Sequence, residues 1–206
     1  MHIPSCQTDQ LRLVPFDAAL ESALVPSPDY DVSRWLYVPN VYAEYRYILG
    51  TRGECPLICV GVNPSTAAPD HLDNTLKSVE RVARFNGYDS FLMFNVYAQR
   101  ATNPDDMEPL CNPELHAENM RAFDYALSLD RTGAPAVWAA WGAVIEKRNY
   151  LPQCVRDMIA VGQRRGARWY TAGSRSKKKG HPHHPLYLRK DSPLEDFNVE
   201  EYLDQL

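Results

Sequence analysis

The chain has 206 residues, 45% of them hydrophobic and 23% charged, and a formal net charge of -4 at pH 7. This length and composition are typical of a single globular domain. The acidic balance argues against a protein whose whole surface binds nucleic acid, and no apolar run approaches the ~18 residues of a membrane span. Because the N-terminus also lacks the basic and apolar stretches of a secretory signal, we expect a cytoplasmic protein without a membrane partner.

Five cysteines, an odd number, are scattered over positions 6, 55, 59, 111 and 154. Their spacings are not those of a zinc or redox loop, so we expect reduced thiols in or near the core. No cofactor is predicted from them.

The first 40 residues contain five prolines and little hydrophobic periodicity. They predict an N-terminal extension, residues 1–40, with little regular structure apart from one short helix near residues 17–24. Residues 41–206 are predicted to form a single α/β domain.

Apolar runs and amphipathic stretches alternate along the rest of the chain. The apolar runs predict buried strands at residues 56–62, 90–96 and 136–140, and an alternating segment predicts another at 45–49. The segment at 168–171 is predicted to be the last strand. Helices are predicted at residues 73–86, 113–129, 143–149 and 152–164. The alternation predicts a three-layer α/β/α sandwich with a short, mostly parallel central sheet.

In such a sheet, ligands bind beyond the carboxyl ends of the strands. Polar residues concentrate at four such places, namely 61–75, 95–104, 139–143 and the loop after the last strand. We therefore expect the functional site where these segments meet.

The turn Gly61-Val-Asn-Pro-Ser-Thr66 follows the first buried strand. The amide of Asn63 both donates and accepts, so it can orient a water or contact a base, and Ser65 and Thr66 can receive an anion. An ordinary strand-to-loop turn is the alternative. Asp73 is predicted either to cap the next helix or to turn its carboxylate toward the site.

The next buried strand, residues 90–96, ends in polar residues. Asn95 is a candidate ligand-binding residue there, and Arg100 follows it. Arg100 is the predicted cation for a phosphate or carboxylate, and an ion pair with Asp105 or Asp106 is the alternative. Trp141, after the third buried strand, offers a face on which a ligand can stack, although most Trp residues at strand ends belong to the core.

A basic strip occupies residues 164–190, with nine Lys and Arg residues and almost no acids. It predicts a surface that faces phosphate, with Lys178 among its cations. A solvated, mobile loop is the alternative.

The segment Gly180-His-Pro-His-His-Pro-Leu-Tyr187 places three histidines in four positions. Neutral imidazoles bind zinc, but no Glu or Cys partner motif accompanies these. We favour a histidine, His184 or His181, that donates to a phosphate or to negative charge developing on a substrate. No metal ligands are predicted.

Several motifs occur in order between residues 42 and 190: Gly61-Val-Asn-Pro-Ser-Thr-Ala67, Asp73-Asn-Thr-Leu76, Asn95-Val-Tyr-Ala-Gln-Arg-Ala-Thr-Asn-Pro104, Ala140-Trp-Gly142 and Gly180-His-Pro-His-His-Pro-Leu-Tyr-Leu188. Together with Arg46, Arg52 and Asn119, they resemble the motifs of the bacterial and phage family of unknown function DUF1643. That resemblance implies no activity. Asn74 departs from the Pro expected at its position, which affects the geometry of the loop.

The order of Gly-x-Asn-Pro, Trp-Gly and a late His-Pro loop is also similar to the uracil-DNA glycosylase superfamily. This similarity implies a glycosylase-like fold in which Asn63 positions water and His184 or His181 stabilises the leaving base. Ser65 and Thr66 stand where that superfamily has a stacking aromatic residue. The similarity therefore implies the fold more than the activity.

These observations predict a protein that processes a nucleotide or nucleic acid, by hydrolysis or transfer at an N-glycosidic bond. A non-catalytic nucleotide or nucleic-acid binding module is the alternative, and a metal-dependent hydrolase is a third hypothesis. The sequence does not indicate an oligomeric state.

Overall fold

The computed structural model describes residues 1–206, apart from the side chain of Tyr187. The described residues form seven strands: β1 (Trp35–Val38), β2 (Ile48–Thr51), β3 (Pro56–Gly61), β4 (Ser90–Asn95), β5 (Ala136–Ala139), β6 (Arg168–Ala172) and β7 (Leu194–Asp196). They also form five α-helices: α1 (Phe16–Ala23), α2 (Asn74–Phe85), α3 (Pro113–Ser128), α4 (Leu151–Arg164) and α5 (Val199–Leu203).

All seven strands belong to one mixed sheet with the order β1-β2-β4-β3-β5-β6-β7. The pairs β3–β4, β3–β5 and β5–β6 are parallel, whereas β1–β2, β2–β4 and β6–β7 are antiparallel. The α/β class is confirmed, but the sheet is longer than predicted and only its centre is parallel. Strands β1 and β7 escaped the prediction because no α-helix joins β1 to β2 or β6 to β7, so helix–strand alternation does not indicate them. The strand predicted at 45–49 is β2, which begins three residues later, at Ile48.

Side chains of the central strands alternate between the two faces of the sheet. In β3, Leu57 and Cys59 belong to the apolar cluster that contains α2, whereas Ile58 and Val60 belong to the cluster that contains α1, α3 and α4. Helices therefore cover both faces, which explains why the central strands are continuously apolar. No helix in the described part of the chain is long and apolar enough to cross a membrane.

The four longer helices begin and end within one residue of their predicted bounds. The stretch predicted as a helix at 143–149 is instead a 3-10 helix at Gly142–Glu146. Strand β7 and helix α5 were not predicted, because each is at most five residues long and carries little periodicity.

Residues 1–40 contribute more regular structure than expected. Helix α1 lies where the short helix was predicted, and the unpredicted β1, only four residues long, pairs with β2 at the sheet edge. Phe16 and Trp35 are buried in the two clusters. The carboxylate of Glu108 accepts hydrogen bonds from the backbone N–H of Thr8 at 2.9 Å and from its hydroxyl at 2.8 Å. The segment therefore packs on the same sheet as the rest of the chain.

The order of the parallel strands creates a switch point between β3 and β5. The chain leaves β3 through α2 on one face of the sheet and leaves β5 through α4 on the other face. At such a point the two connections diverge, and a crevice opens beyond the carboxyl ends of the two strands. The fold alone therefore predicts that a ligand binds in this crevice.

Candidate functional site

A cleft of about 1000 Å³ lies at this switch point. Most of its lining comes from residues 61–66 after β3, from 73–76 at the start of α2, from 141–144 after β5, and from 174–177 and 181–184 after β6. The lining includes the following residues predicted for the site: Asn63, Ser65, Thr66, Asp73, Asn95, Trp141, His181 and His184. The strand-end rule therefore located residues that the fold brings together.

Asn63 is held in place by backbone carbonyls. Its Nδ2 donates to Ala101 O at 2.7 Å and to Pro64 O at 3.2 Å. In the orientation that satisfies its neighbours, the buried amide of Asn95 donates to the carbonyls of Asn63 and Phe94, both at 3.2 Å. Since Nδ2 is directed into the protein and Oδ1 has no donor among the described residues, Asn63 offers the cleft an acceptor.

Arg100 is fully buried and is not among the residues that line the cleft. Its guanidinium donates to Ser65 O, to Ala67 O at 3.4 Å and to the hydroxyl of Tyr37 at 3.0 Å. Within the described residues it forms no ion pair with Asp105. The structure thus places Arg100 behind the 63–67 loop, where it holds loop carbonyls instead of facing the open cleft.

Arg46 lies beside Arg100 and, unlike it, lines the cleft. It is 1% exposed, and its Nη1 donates at 3.0 Å to Ala67 O, the carbonyl that Arg100 also contacts. Burial, with the charge of Arg100, lowers the pKa of Arg46 to about 9. In the described part of the chain neither arginine is paired with a carboxylate. The sequence drew attention to Arg46 only through the family resemblance.

The N-terminus of α2 also opens onto the cleft. Asp73 caps the helix, since its Oδ1 accepts from Leu76 N at 2.9 Å, and the same residue lines the cleft. The backbone N–H groups of Asn74 and Thr75 have no acceptor among the described residues, as is usual for the first turn. Both of these residues line the cleft.

His181 is buried and belongs to a hydrogen-bonded chain that starts in the core. Trp141 Nε1 donates to the hydroxyl of Tyr202 at 2.9 Å, and that hydroxyl lies 2.8 Å from His181 Nδ1. The hydroxyl keeps its own proton while it accepts from Trp141, and it can donate that proton to His181 Nδ1. In this arrangement the neutral ring carries its proton on Nε2, which lies 3.8 Å from Glu146 Oε2. Burial lowers the pKa of His181 and so favours this neutral form. Trp141 is a core residue whose ring is not exposed for stacking.

His184 is half-buried on the His-Pro loop. Its Nδ1 accepts from Leu186 N at 3.3 Å, so the neutral ring again carries its proton on Nε2. Burial lowers the pKa of His184, although the charge of Asp73 opposes this. Ser78 of α2 donates to Pro185 O at 2.8 Å and anchors the loop beside the helix.

The basic strip meets the cleft through part of its length. Arg175 and Lys177 line the cleft, whereas Lys178 is exposed and lies outside the lining, and Lys179 forms an ion pair with Glu146. Successive side chains of this loop project in different directions, which the sequence did not reveal. Among the described lining residues three are Arg or Lys and one, Asp73, is acidic, so the cleft favours an anion.

In the described part of the chain, the histidines are not grouped with other metal-binding side chains. Among the described residues, no group of three or more His, Cys, Asp and Glu side chains is arranged to hold a metal ion. His181 and His184 instead direct their Nδ1 atoms to a tyrosine hydroxyl and to a backbone N–H.

No curated protein and no solved structure matches the chain. The model of the family described as "Protein of unknown function (DUF1643)" matches residues 46–186, which include the cleft-lining segments from β3 to the His-Pro loop. This match spans more than half of the sequence, and the chain belongs to the DUF1643 family.

Proposed function

We propose that the cleft binds a nucleotide or nucleic acid, and that the protein hydrolyses or transfers at its N-glycosidic bond. The observation that carries this proposal is that Asn63 and His184 line one cationic cleft at the switch point of the sheet. Asn63 offers a hydrogen-bond acceptor for water, and His184 offers a ring N–H that can donate to the departing base. The reaction requires both of these polar groups.

The hydrolytic step would use these groups as follows. The oxygen of a water molecule bonds to the anomeric carbon while the N-glycosidic carbon–nitrogen bond breaks. The electron pair of the broken bond leaves on the base. Asn63 Oδ1 accepts a hydrogen bond from the water and orients it, while His184 Nε2–H donates to the departing base. The proton lost by the water ends on the released base.

Other features support a phosphate-bearing ligand. Three cations against one carboxylate favour an anion, and the cleft volume is at the upper end for a small-molecule site. Since the Trp141 ring is buried, we expect polar contacts to hold the ligand more than stacking on that ring. The order of the three motifs, similar to that of the uracil-DNA glycosylase superfamily, agrees with a glycosylase-like architecture and with these roles.

The test compares binding with base release in the Asn63→Ala variant. Nucleoside monophosphates and oligonucleotides are screened by calorimetry for binding and by chromatography for the free base. We expect Asn63→Ala to bind with little change but to release base about 10²-fold more slowly, since it loses the group that orients the water.

Asn40→Ala is the matched control, because Asn40 makes one bond to Ser22 O and lies outside the cleft lining. It should release base at the wild-type rate. Binding without base release by the wild-type chain would favour the non-catalytic binding module. Absence of binding by every ligand in the screen would contradict both.

A further inference from the structure

We infer that the cleft contains a phosphate subsite built from Arg46, the N-terminus of α2 and the backbone amides of Ser65 and Thr66. The inference rests on the proposed function only for the identity of the molecule that carries the phosphate. Three independent features of the chain converge on this subsite.

The first feature is the orientation of the 63–67 loop. Pro64 O accepts from Ala101 N at 2.9 Å, and Ser65 O accepts from Arg100, so both carbonyls are directed into the protein. In a trans peptide the N–H points opposite to the C=O, and Val38-Pro39 is the cis bond among the described residues. The N–H groups of Ser65 and Thr66 therefore point away from Ala101 and Arg100.

These two amides are available to a ligand. Neither N–H donates to an acceptor within the described residues, and both Ser65 and Thr66 line the cleft. Successive unpaired backbone N–H groups form a concavity that attracts anions. Arg100 acts here as a positioning residue, since it holds the Ser65 carbonyl that sets the direction of the Thr66 amide.

The second feature is the buried charge of Arg46. Its Nε has no hydrogen-bond partner, and that of neighbouring Arg100 has none either, among the described residues. Two adjacent buried guanidinium groups are costly when no carboxylate pairs with them directly. Burial lowers the pKa of Arg46 and the charge of Asp73 opposes this, but among the described residues Asp73 forms no ion pair with it, and a bound anion would supply that direct partner. Because Arg46 is the member of the pair that lines the cleft, the anion would bind on its side.

The third feature is the start of α2, a helix of 12 residues. The unpaired N–H groups of Asn74 and Thr75 and the helix dipole favour negative charge there. The first turn contains no acidic side chain, and the cap carboxylate of Asp73 is the one acid in the described lining. Its Oδ1 is bound to Leu76 N, which leaves the N–H groups of the first two helical positions for the ligand.

The chemistry that fits these donors is a single phosphate group. It can be the terminal phosphate of a free nucleotide or a phosphodiester of a nucleic acid. The test therefore measures inorganic phosphate first, and then compares a nucleoside 5′-monophosphate, the nucleoside alone and a single-stranded oligonucleotide in the same titration.

The decisive variant is Asn74→Asp. An acid in the first turn interacts favourably with the helix dipole, so the thermal midpoint should equal or exceed that of the wild type. The added charge would repel phosphate and lower its affinity about fivefold or more. Asn198→Asp, at the exposed cap of α5 outside the cleft lining, is the matched control and should leave phosphate affinity unchanged.

A second variant removes the buried charge. Arg46→Gln should lower phosphate affinity about tenfold or more, while Arg34→Gln, an exposed arginine, should not. Unchanged phosphate affinity in the folded Asn74→Asp protein, or no phosphate binding by the wild type, would overturn the inference. Phosphate binding without base release would leave this subsite standing and remove only the proposed reaction.

Discussion

Arg46 and Arg100 show how residues of one type take different roles. Both are buried, yet Arg100 is covered by Tyr42, whose ring centre lies 4.3 Å from the guanidinium carbon, while Arg46 reaches the cleft. Burial lowers the pKa of both groups, and neither has a carboxylate partner among the described residues. Such an arrangement costs stability, so we interpret the pair as part of a binding site.

The Trp141–Tyr202–His181 chain makes a prediction at the same scale. Tyr202→Phe would leave two buried groups, Trp141 Nε1 and His181 Nδ1, without their hydrogen-bond partner. We expect the free energy of unfolding to fall by about 1–3 kcal/mol, measured by urea denaturation.

Tyr30→Phe provides the matched control, because the Tyr30 hydroxyl is buried without a partner among the described residues. Its removal should leave stability unchanged or slightly raised. An equal loss of stability in both variants would show that the hydroxyl of Tyr202 does not act through these two bonds.

Part of this site could be predicted from individual residues. Asn63, Ser65, Thr66 and Asp73 were identified because they follow a buried strand, and the structure places them in the cleft. The burial of Arg100 could not be predicted, because it depends on the 63–67 loop that folds over the guanidinium. The same holds for the direction of each lysine in the basic strip.

At the scale of elements, the sequence predicted those with a strong local pattern. The strands β3 to β6 and the helices α1 to α4 each carry a continuous apolar run or a helical periodicity. Strands β1 and β7 are four and three residues long, and their place in the sheet depends on partners distant in sequence. Local pattern does not contain that information.

The N-terminal elements make a prediction of their own. Residues 41–206 alone should not fold as the full chain does, because they lack β1, which pairs with β2, and the buried residues Phe16 and Trp35. We expect reduced helical signal and loss of cooperative thermal unfolding, measured by circular dichroism against the full chain.

The opposite outcome is equally clear. A shortened chain that unfolds cooperatively at the midpoint of the full chain would show that residues 1–40 are an appendage. It would support the predicted division of the chain into residues 1–40 and 41–206.

For the whole molecule, one topological fact connects fold and site. From the adjacent parallel strands β3 and β5 the connections run to opposite sides of the sheet, and the cleft lies where α2 and α4 leave the sheet on opposite faces. A second surface groove of about 540 Å³ lies between α1, α3 and α4. It lies beside Phe16, Arg121 and Val161, away from the strand ends. The fold therefore distinguishes this groove from the cleft at the switch point.

The most direct measurement is a crystal structure of the protein with a bound nucleoside 5′-monophosphate. We predict the phosphate against Arg46 and the N–H groups of Asn74 and Thr75, with the sugar between Asn63 and His184. A nucleotide bound in the groove beside Arg121, with the cleft at the switch point unoccupied, would contradict the central claim.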